Sequence, residues 1–384
     1  MCRLGNAVEL PPRRASLLKS PHVGRLVTAT PALAIENLHV RYGSVPVLRG
    51  IDLTVAAGGC TAVLGPSGCG KSTLLRAIAG LTKAHDGRIH IGESLTDSPQ
   101  QLVAPEKRNV ALVFQDLALW PHMTVEGNLD FVFEARGVSR ADRGPETLAA
   151  LAAVGLPTSL GQRYPAELSG GERQRAAMAR AIAQKPRILL LDEPLTGLDR
   201  HLRRHLLETL ARLRVETGLA MLVVTHDQEE AFALADQVAV MNAGVIEQAG
   251  PPETVYEAPR TAFVAGFVGP ASLVASTVSA ASANTPLGRF PAVGVPDGAH
   301  LAVFRPAGVH VVAEGHADGE IGARGCVETA FYRGGHFLLV VRLPEGDQRV
   351  LVRSEVKIES GTVVALAADG PAFVGLEAVR SEAT

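Results

Sequence analysis

Four short runs hold residues whose types and spacing could carry chemistry. "GPSGCGKST", from Gly65 to Thr73, fits G-x-x-x-x-G-K-[ST] and lies between a predicted strand and a predicted helix. The loop of Gly65, Pro66, Ser67, Gly68, Cys69 and Gly70 can curl backbone N–H groups around phosphate oxygens. The helix N-terminus that follows adds partial positive charge. Lys71 can reach β- and γ-phosphates, Ser72 can set its hydroxyl on Mg²⁺, and Thr73 completes the motif. Cys69 is read as a small residue that fits. "RILLLDEP" leads an apolar strand into two adjacent carboxylates. Strand alternation points them in different directions, which assigns Asp192 to Mg²⁺ and Glu193 to an attacking water. "LVVTHD" ends a further strand on His226, which beside a phosphate can donate a hydrogen bond to it. Gln115, in "LVFQD", offers a neutral amide to metal or water.

A fifth run, "LSGGERQRAAMARA", sets two glycines where a helix must begin. Ser169 and Glu172 fit the S-x-x-E capping box, so the helix can start cleanly. Gly170 and Gly171 leave backbone N–H groups unshielded at a positive helix end, which suits an anion.

These runs need elements to position them. "LAIENLHVRY", "VLRGIDLTV" and "CTAVLG" read as strands, and "STLLRAIAGL" as a helix. Strand, glycine loop and helix open an α/β domain with a parallel sheet. Residues 121–168 read as helices broken at Gly137, Gly144-Pro145 and Gly155. "RILLLDEP" and "LAMLVVTHD" return to buried strands, and "QVAVMNAGVIEQAG" to a hairpin around Ala243-Gly244. "ASLVASTVSAASANTP" is small and polar, the composition of a linker or edge. From about Leu287 onward short alternating runs predict a small all-β domain, barrel-like in spacing.

Composition sets outer bounds. The chain has 384 residues, 47% hydrophobic and 20% charged, enough for two globular domains. A net charge of −2 gives no whole-chain attraction to nucleic acid, which is not expected as a partner. No apolar run nears the roughly 18–20 residues of a membrane-spanning helix. Cys2, Cys60, Cys69 and Cys326 show no metal-ligand spacing, which fits a reducing cytosol. Residues 1–30 carry Arg3, Arg13, Arg14, Lys19 and Arg25 against Glu9, and read as a disordered extension or a start assigned too early.

In their order along the chain these motifs resemble the ATP-binding subunit of ABC transporters, over residues 33–270. The resemblance implies a P-loop ATPase domain of ABC type with a helical subdomain at about 116–172. It implies ATP and Mg²⁺ as cofactors, and ATP hydrolysis as the reaction. Tyr42, in "VRYG", would stack on adenine, an interaction of about 1–3 kcal/mol. Leu168, Ser169, Gly170, Gly171 and Glu172 would meet the γ-phosphate held by a second copy, and Asp199, closing "GLD", would organise that contact. Gln115 would bind metal and couple the site to a membrane partner. "FRP" at Phe304 to Pro306 and "GCVETAFYRGG" from Gly325 resemble the TOBE domain (OB-like, all-β) of importer ATPases, here at about 285–380. The implied partners are two transmembrane permease subunits and, through them, a solute-binding protein. The implied place is the cytoplasmic face of the membrane. "PPETVYEAPRTAFVAGFVG" resembles the ferric-iron, polyamine and sugar importers. "GPASLV" stands where the sugar branch carries Ser-Pro-x-Met-Asn, which leans toward iron or polyamine. The family pattern is departed from at Gly58-Gly59 and Thr196-Gly197, neither in a chemical role. A soluble repair or translation ATPase is the rival reading. It lacks its usual marks here, a long coiled coil or a second cassette. A sugar or anion importer and an exporter are further alternatives, the last disfavoured by the importer-like tail.

Overall fold

Two runs with every residue buried, Cys60–Leu64 and Ile188–Asp192, set the centre of the fold. Strands apolar on both faces need cover on both, which a parallel sheet between two layers provides. The computed structural model describes residues 30–312, 322–344 and 348–375. The segment read as an N-terminal extension lies outside these up to residue 29. The element order is β1 (Leu33–Tyr42), β2 (Val45–Val55), β3 (Cys60–Leu64), α1 (Lys71–Ile78), β4 (Asp86–Ile91), β5 (Ser94–Asp97) and β6 (Val110–Val113). Then come α2 (Val125–Ala135), α3 (Arg143–Ala153), α4 (Gly170–Ile182), β7 (Ile188–Asp192), α5 (Arg200–Thr217), β8 (Ala220–Thr225) and α6 (Gln228–Leu234). The hairpin β9 (Gln237–Asn242) and β10 (Val245–Gly250) precedes α7 (Pro252–Glu257) and α8 (Ala262–Phe267).

The central sheet has six strands in the order β10-β9-β3-β8-β7-β6, parallel except for edge strand β10. Alternation along β7 divides the packing. Ile188 and Leu190 join α1 and a four-stranded antiparallel sheet, β2-β1-β4-β5, in one core. Leu189 and Leu191 join α2 to α5 in the core on the other face. One buried guanidinium ties α1 to the antiparallel sheet. Arg108 donates to the carbonyls of Ala77 (2.8 Å), Ile78 (3.0 Å) and Val103 (2.8 Å), and to Asp97 Oδ2 at 3.2 Å. It thereby caps the orphan carbonyls at the end of α1. Both side chains are fully buried, and burial pushes the Asp97 carboxyl up from its ordinary value.

Beyond α8 the described residues form ten strands in chain order: β11 (Ser272–Ser279), β12 (Ser282–Thr285), β13 (Gly288–Pro291), β14 (Gly298–Phe304), β15 (Val309–Val312), β16 (Ala323–Tyr332), β17 (Phe337–Arg342), β18 (Arg349–Ser354), β19 (Val363–Ala368) and β20 (Ala372–Gly375). They form two five-stranded sheets, β13-β12-β11-β14-β20 and β15-β19-β16-β17-β18. Val274 and Phe304 from one sheet share a core with Val327, Leu339, Val350 and Leu366 from the other. Arg305, after β14, lies 4.1 Å over the Tyr256 ring and donates to the carbonyls of Tyr256, Ala265, Gly269 and Pro270.

Two sequence expectations are corrected. The run read as a linker or edge is strands β11 and β12. Ser272, Val274, Ser276 and Val278 point inward in strict alternation, but serines mask that pattern. The turn between them is Ala280-Ala281, both left-handed (φ 51° and 58°), where no Asn-Gly marks a hairpin. Gly144-Pro145 does not break a helix either. It sits in the first turn of α3, where backbone N–H groups have no intrahelical partner to lose.

Replacing Arg108 by Met should destabilise the protein by about 3–5 kcal/mol, because Asp97 is left buried without its partner. Denaturant unfolding measures this. The double change with Asp97→Leu should recover most of the loss, and a single variant as stable as the parent would contradict the pairing.

Candidate functional site

The carboxyl ends of β3, β7 and β8 lie side by side, because these strands are neighbours in a parallel sheet. Such an edge is where ligands bind in open α/β folds. The loop after β3 turns sharply into α1. Gly70 has φ +112°, a conformation open to glycine and strained for other residues. A Cβ at Gly65 would collide with the Met241 carbonyl oxygen and Cys69 Sγ. Lys71, 5% exposed, donates from Nζ to the carbonyls of Gly65 (2.7 Å) and Pro66 (2.8 Å). Its ammonium is thus held inside the loop, with the backbone wrapped around it. Burial pushes the Cys69 thiol up, so the side chain fills space as a neutral group.

Ser72 Oγ donates to Asp192 Oδ1 at 3.2 Å, joining α1 to the end of β7. Burial is the main cause that raises the Asp192 carboxyl above its usual range, and the Glu193 charge adds to it. Glu193 diverges from Asp192 for a reason the alternation argument did not contain. Its backbone is left-handed (φ 47°), and it leaves the strand altogether. Its N–H donates to the Val224 carbonyl at 2.9 Å, so the turn is pinned to β8. Its carboxylate accepts from Thr196 Oγ1 at 3.2 Å and lies 3.1 Å from His226 Nδ1. Lys71, Ser72, Asp192, Glu193 and His226 therefore stand as one constellation.

Sequence reading missed the group beneath His226. Asp227 caps α6, its Oδ1 accepting from the N–H groups of Glu229 (2.9 Å) and Glu230 (3.2 Å). Its Oδ2 accepts from Arg203 Nη1 on α5 at 2.6 Å. Glu230 is 2% exposed and accepts from Thr225 Oγ1 at 2.5 Å. Burial pushes its carboxyl up to about 7. The polar, acidic run "HDQEEA" gave no sign that this acid faces inward.

The remaining candidates lie around this centre. Ser169 caps α4 as the spacing requires: its Oγ accepts from the Glu172 N–H at 3.3 Å, and Glu172 Oε2 accepts from the Ser169 N–H at 2.7 Å. Those bonds hold the Glu172 carboxyl below its usual range. Leu168, 4% exposed, anchors that entry in the helical core. Gly171 packs beside Leu202 in the first turn of α5, which Asp199 caps by accepting from the N–H groups of His201 and Leu202, each at 2.9 Å. The geometry thus gives Asp199 a capping role that its motif did not announce. Tyr42, half exposed, ends β1 beside α1, where hydrogen bonds with Thr82 and Thr73 hold its hydroxyl below the usual range. Gln115 is exposed just past β6. The segment after it carries Leu117 and Ala118 in the left-handed region (φ 64° and 45°). Arg180 of α4 donates to both their carbonyls and lies 4.8 Å over the Trp120 ring. Among the described residues no cluster of three or more His, Cys, Asp and Glu could hold a metal by itself.

The Glu230 carboxyl gives a pH test. A carboxyl whose folded pKa is raised binds its proton more tightly folded than unfolded. Its stability contribution is full below about 4.5 and is lost as pH rises through about 7. Glu230→Gln, which cannot ionise, should raise the unfolding midpoint at about pH 8 and change it little at about pH 5. Equal shifts at the two pH values would contradict a buried, titrating Glu230.

Comparison with known proteins agrees with the geometry. Residues 48–196 match the family model described as ABC transporter. The Fe(3+) ions import ATP-binding protein of Streptomyces avermitilis is 45% identical, covering 82% of this chain and 88% of that one. The sn-glycerol-3-phosphate import ATP-binding protein of Rhizobium etli is 41% identical (83% and 88% covered), and the spermidine/putrescine import ATP-binding protein of Pseudomonas aeruginosa 39% (83% and 89%). A solved dimeric, post-hydrolysis ATP-binding cassette bound to ADP and phosphate superposes with TM-score 0.51 at 29% identity, over 57% of this chain and 98% of that one. With the glycine-rich loop, the paired carboxylates and the histidine assembled at one sheet edge, this chain belongs to the ABC transporter family as an import ATP-binding protein, an ATPase.

Proposed function

We propose that this chain is the motor of a binding-protein-dependent importer for ferric iron or, as the second reading, a polyamine. Two copies would close on ATP at the cytoplasmic face of the membrane and drive two permease subunits, served by a solute-binding protein. The single observation that carries the motor reading is the convergence of Lys71, Ser72, Asp192, Glu193 and His226 at the ends of three neighbouring strands. The ferric-ion and spermidine/putrescine relatives support the cargo. The helical layer of α2 and α3 is the proposed docking face for the permease subunits. The C-terminal sheets are proposed to be a TOBE domain. No helix among the described residues is long and apolar enough to cross a membrane, so attachment would run through the permease subunits.

Mg²⁺ fits the donors present. It prefers oxygen ligands and commonly takes only one or two from protein, the rest from phosphate and water. Ser72 Oγ and Asp192 Oδ1 are such a pair, with Gln115 as a further oxygen donor. A cation beside buried Asp192 would offset the cost that now raises its carboxyl. When bound, the ion would neutralise charge developing on the phosphates. The residues do the rest. Lys71, with the backbone of Gly65, Pro66, Ser67, Gly68, Cys69, Gly70 and Thr73, would hold the phosphates, and Tyr42 the adenine. Glu193 would orient the attacking water and accept its proton. His226, already against Glu193, would hold the terminal phosphate in line.

The dimer reading rests on Gly170 and Gly171. Neither has a positive φ. A Cβ on Gly170 meets nothing within 4 Å, and one on Gly171 meets only Leu202 carbons at ordinary contact. The chain's own packing does not require glycine at either place. Close approach of an outside anion does, and a partner's γ-phosphate is that anion. Leu168, Ser169 and Glu172 would frame the contact, with Asp199 across the interface.

Glu193→Gln should still bind ATP and dimerise, while turnover falls about 10²–10⁴-fold. A variant hydrolysing ATP at the parent rate would sink the Glu193 assignment. ATPase activity per mole should rise with protein concentration, and Ser169→Arg should abolish it while nucleotide binding persists. A fully active monomer would refute the shared site.

A further inference from the structure

One buried acid plays no part in the chemistry above. Glu230 lies one helical turn beyond His226, in a helix face that otherwise buries Ala231 against Val238, Val240 and Val264. An apolar residue would pack there at no electrostatic cost. Among the described residues no cation comes within ion-pair distance of it, and its Oε1 is buried without a hydrogen-bond partner. Burying a carboxyl in this way is unfavourable unless it holds something in place.

What it holds is the backbone on both sides of His226. We infer that Glu230 is the positioning residue for His226, setting through Thr225 and Asp227 the loop that aims the imidazole at Glu193. Thr225 Oγ1 gives its proton to Glu230 Oε2, which leaves its lone pairs for the Asp227 N–H at 2.9 Å. The residue before the histidine is thereby bonded to the residue after it. Asp227 is held in turn by Arg203, in the first turn of the helix that Asp199 caps. A continuous chain of contacts runs from Asp199's helix through Arg203, Asp227 and Thr225 to Glu230, with His226 in the loop it encloses.

The same geometry makes the loop sensitive to protons. The charged groups facing Glu230 are Asp227 and Glu193, which disfavour its ionisation, and Arg203, which favours it. His226 stands on the far side of Thr225, against Glu193. Arg203 Nε is itself buried without a partner. The neutral acid leaves Arg203 to Asp227. The anion, formed as pH rises through about 7, repels Asp227 and draws Arg203 toward its own unpartnered oxygen, which loosens the loop.

The inference rests on the roles given to Glu193 and His226, and the test separates the two. kcat and KM for MgATP are measured on the full-length chain between about pH 6 and 9. Parent turnover should carry a descending step with its midpoint near 7. Glu230→Gln, always neutral, should abolish that step or move its midpoint by at least about one unit, with KM unchanged. Thr225→Val, nearly isosteric and independent of the fate of the first variant, should lower kcat about tenfold at unchanged KM. A step that persists unmoved in Glu230→Gln, or parent kcat in Thr225→Val, would overturn the positioning role. Failure of the catalytic reading itself would show instead as turnover surviving Glu193→Gln.

Discussion

The fully buried middle of the parallel sheet is the constraint from which the site follows. β3, β7 and β8 offer no exposed face along their length, so a polar group can leave them only at an end. Three neighbouring strands running the same way bring three such ends together. A glycine-rich loop, a pair of carboxylates and a histidine come from stretches far apart in sequence, yet they need no further device to meet. The cores on either side keep that edge rigid, with α1 wedged between the two sheets.

Charge is then handled by enclosure. Lys71 is wrapped by the carbonyls of its own loop, Arg108 by the end of α1 and Asp97, and Asp192 by Ser72. In a low-dielectric setting each such group interacts more strongly than in water and suffers more when a partner leaves. That is why the site has few charges, each with a defined neighbour. Glu230 differs, because among the described residues no cation pairs with it; its Oε1, like Asp97 Oδ1, is left without a hydrogen-bond partner.

Much of this was legible in the sequence, and for a physical reason. The phosphate loop, the capping box at Ser169 and the strand ends at Asp192 and His226 are set by local backbone geometry, which spacing encodes. What stayed hidden depends on distant contacts or on small residues. The direction of Glu193 comes from a left-handed backbone pinned to Val224, not from alternation. Arg180, Arg203 and Glu230 look like ordinary helix-surface charges until the fold places them against Leu117, Asp227 and Thr225. The serine-rich start of the C-terminal sheets conceals its alternation, and a turn of two alanines offers no signal. The split of the C-terminal strands into two antiparallel sheets also follows from long-range pairing that no local run contains.

Arg305 joins the two halves of the molecule by an unusual choice of partners. Its guanidinium meets an aromatic face and backbone carbonyls, with no carboxylate among them. A carbonyl is offered by every residue, so apart from the Tyr256 ring recognition here reads the path of the chain from Tyr256 to Pro270. Sequence in that stretch is therefore free to drift only where a residue neither carries that ring nor packs in the core, so long as the course is kept. The β-rich half becomes a module that can be exchanged between related motors, provided the arginine travels with it and the receiving helices end in the same bend.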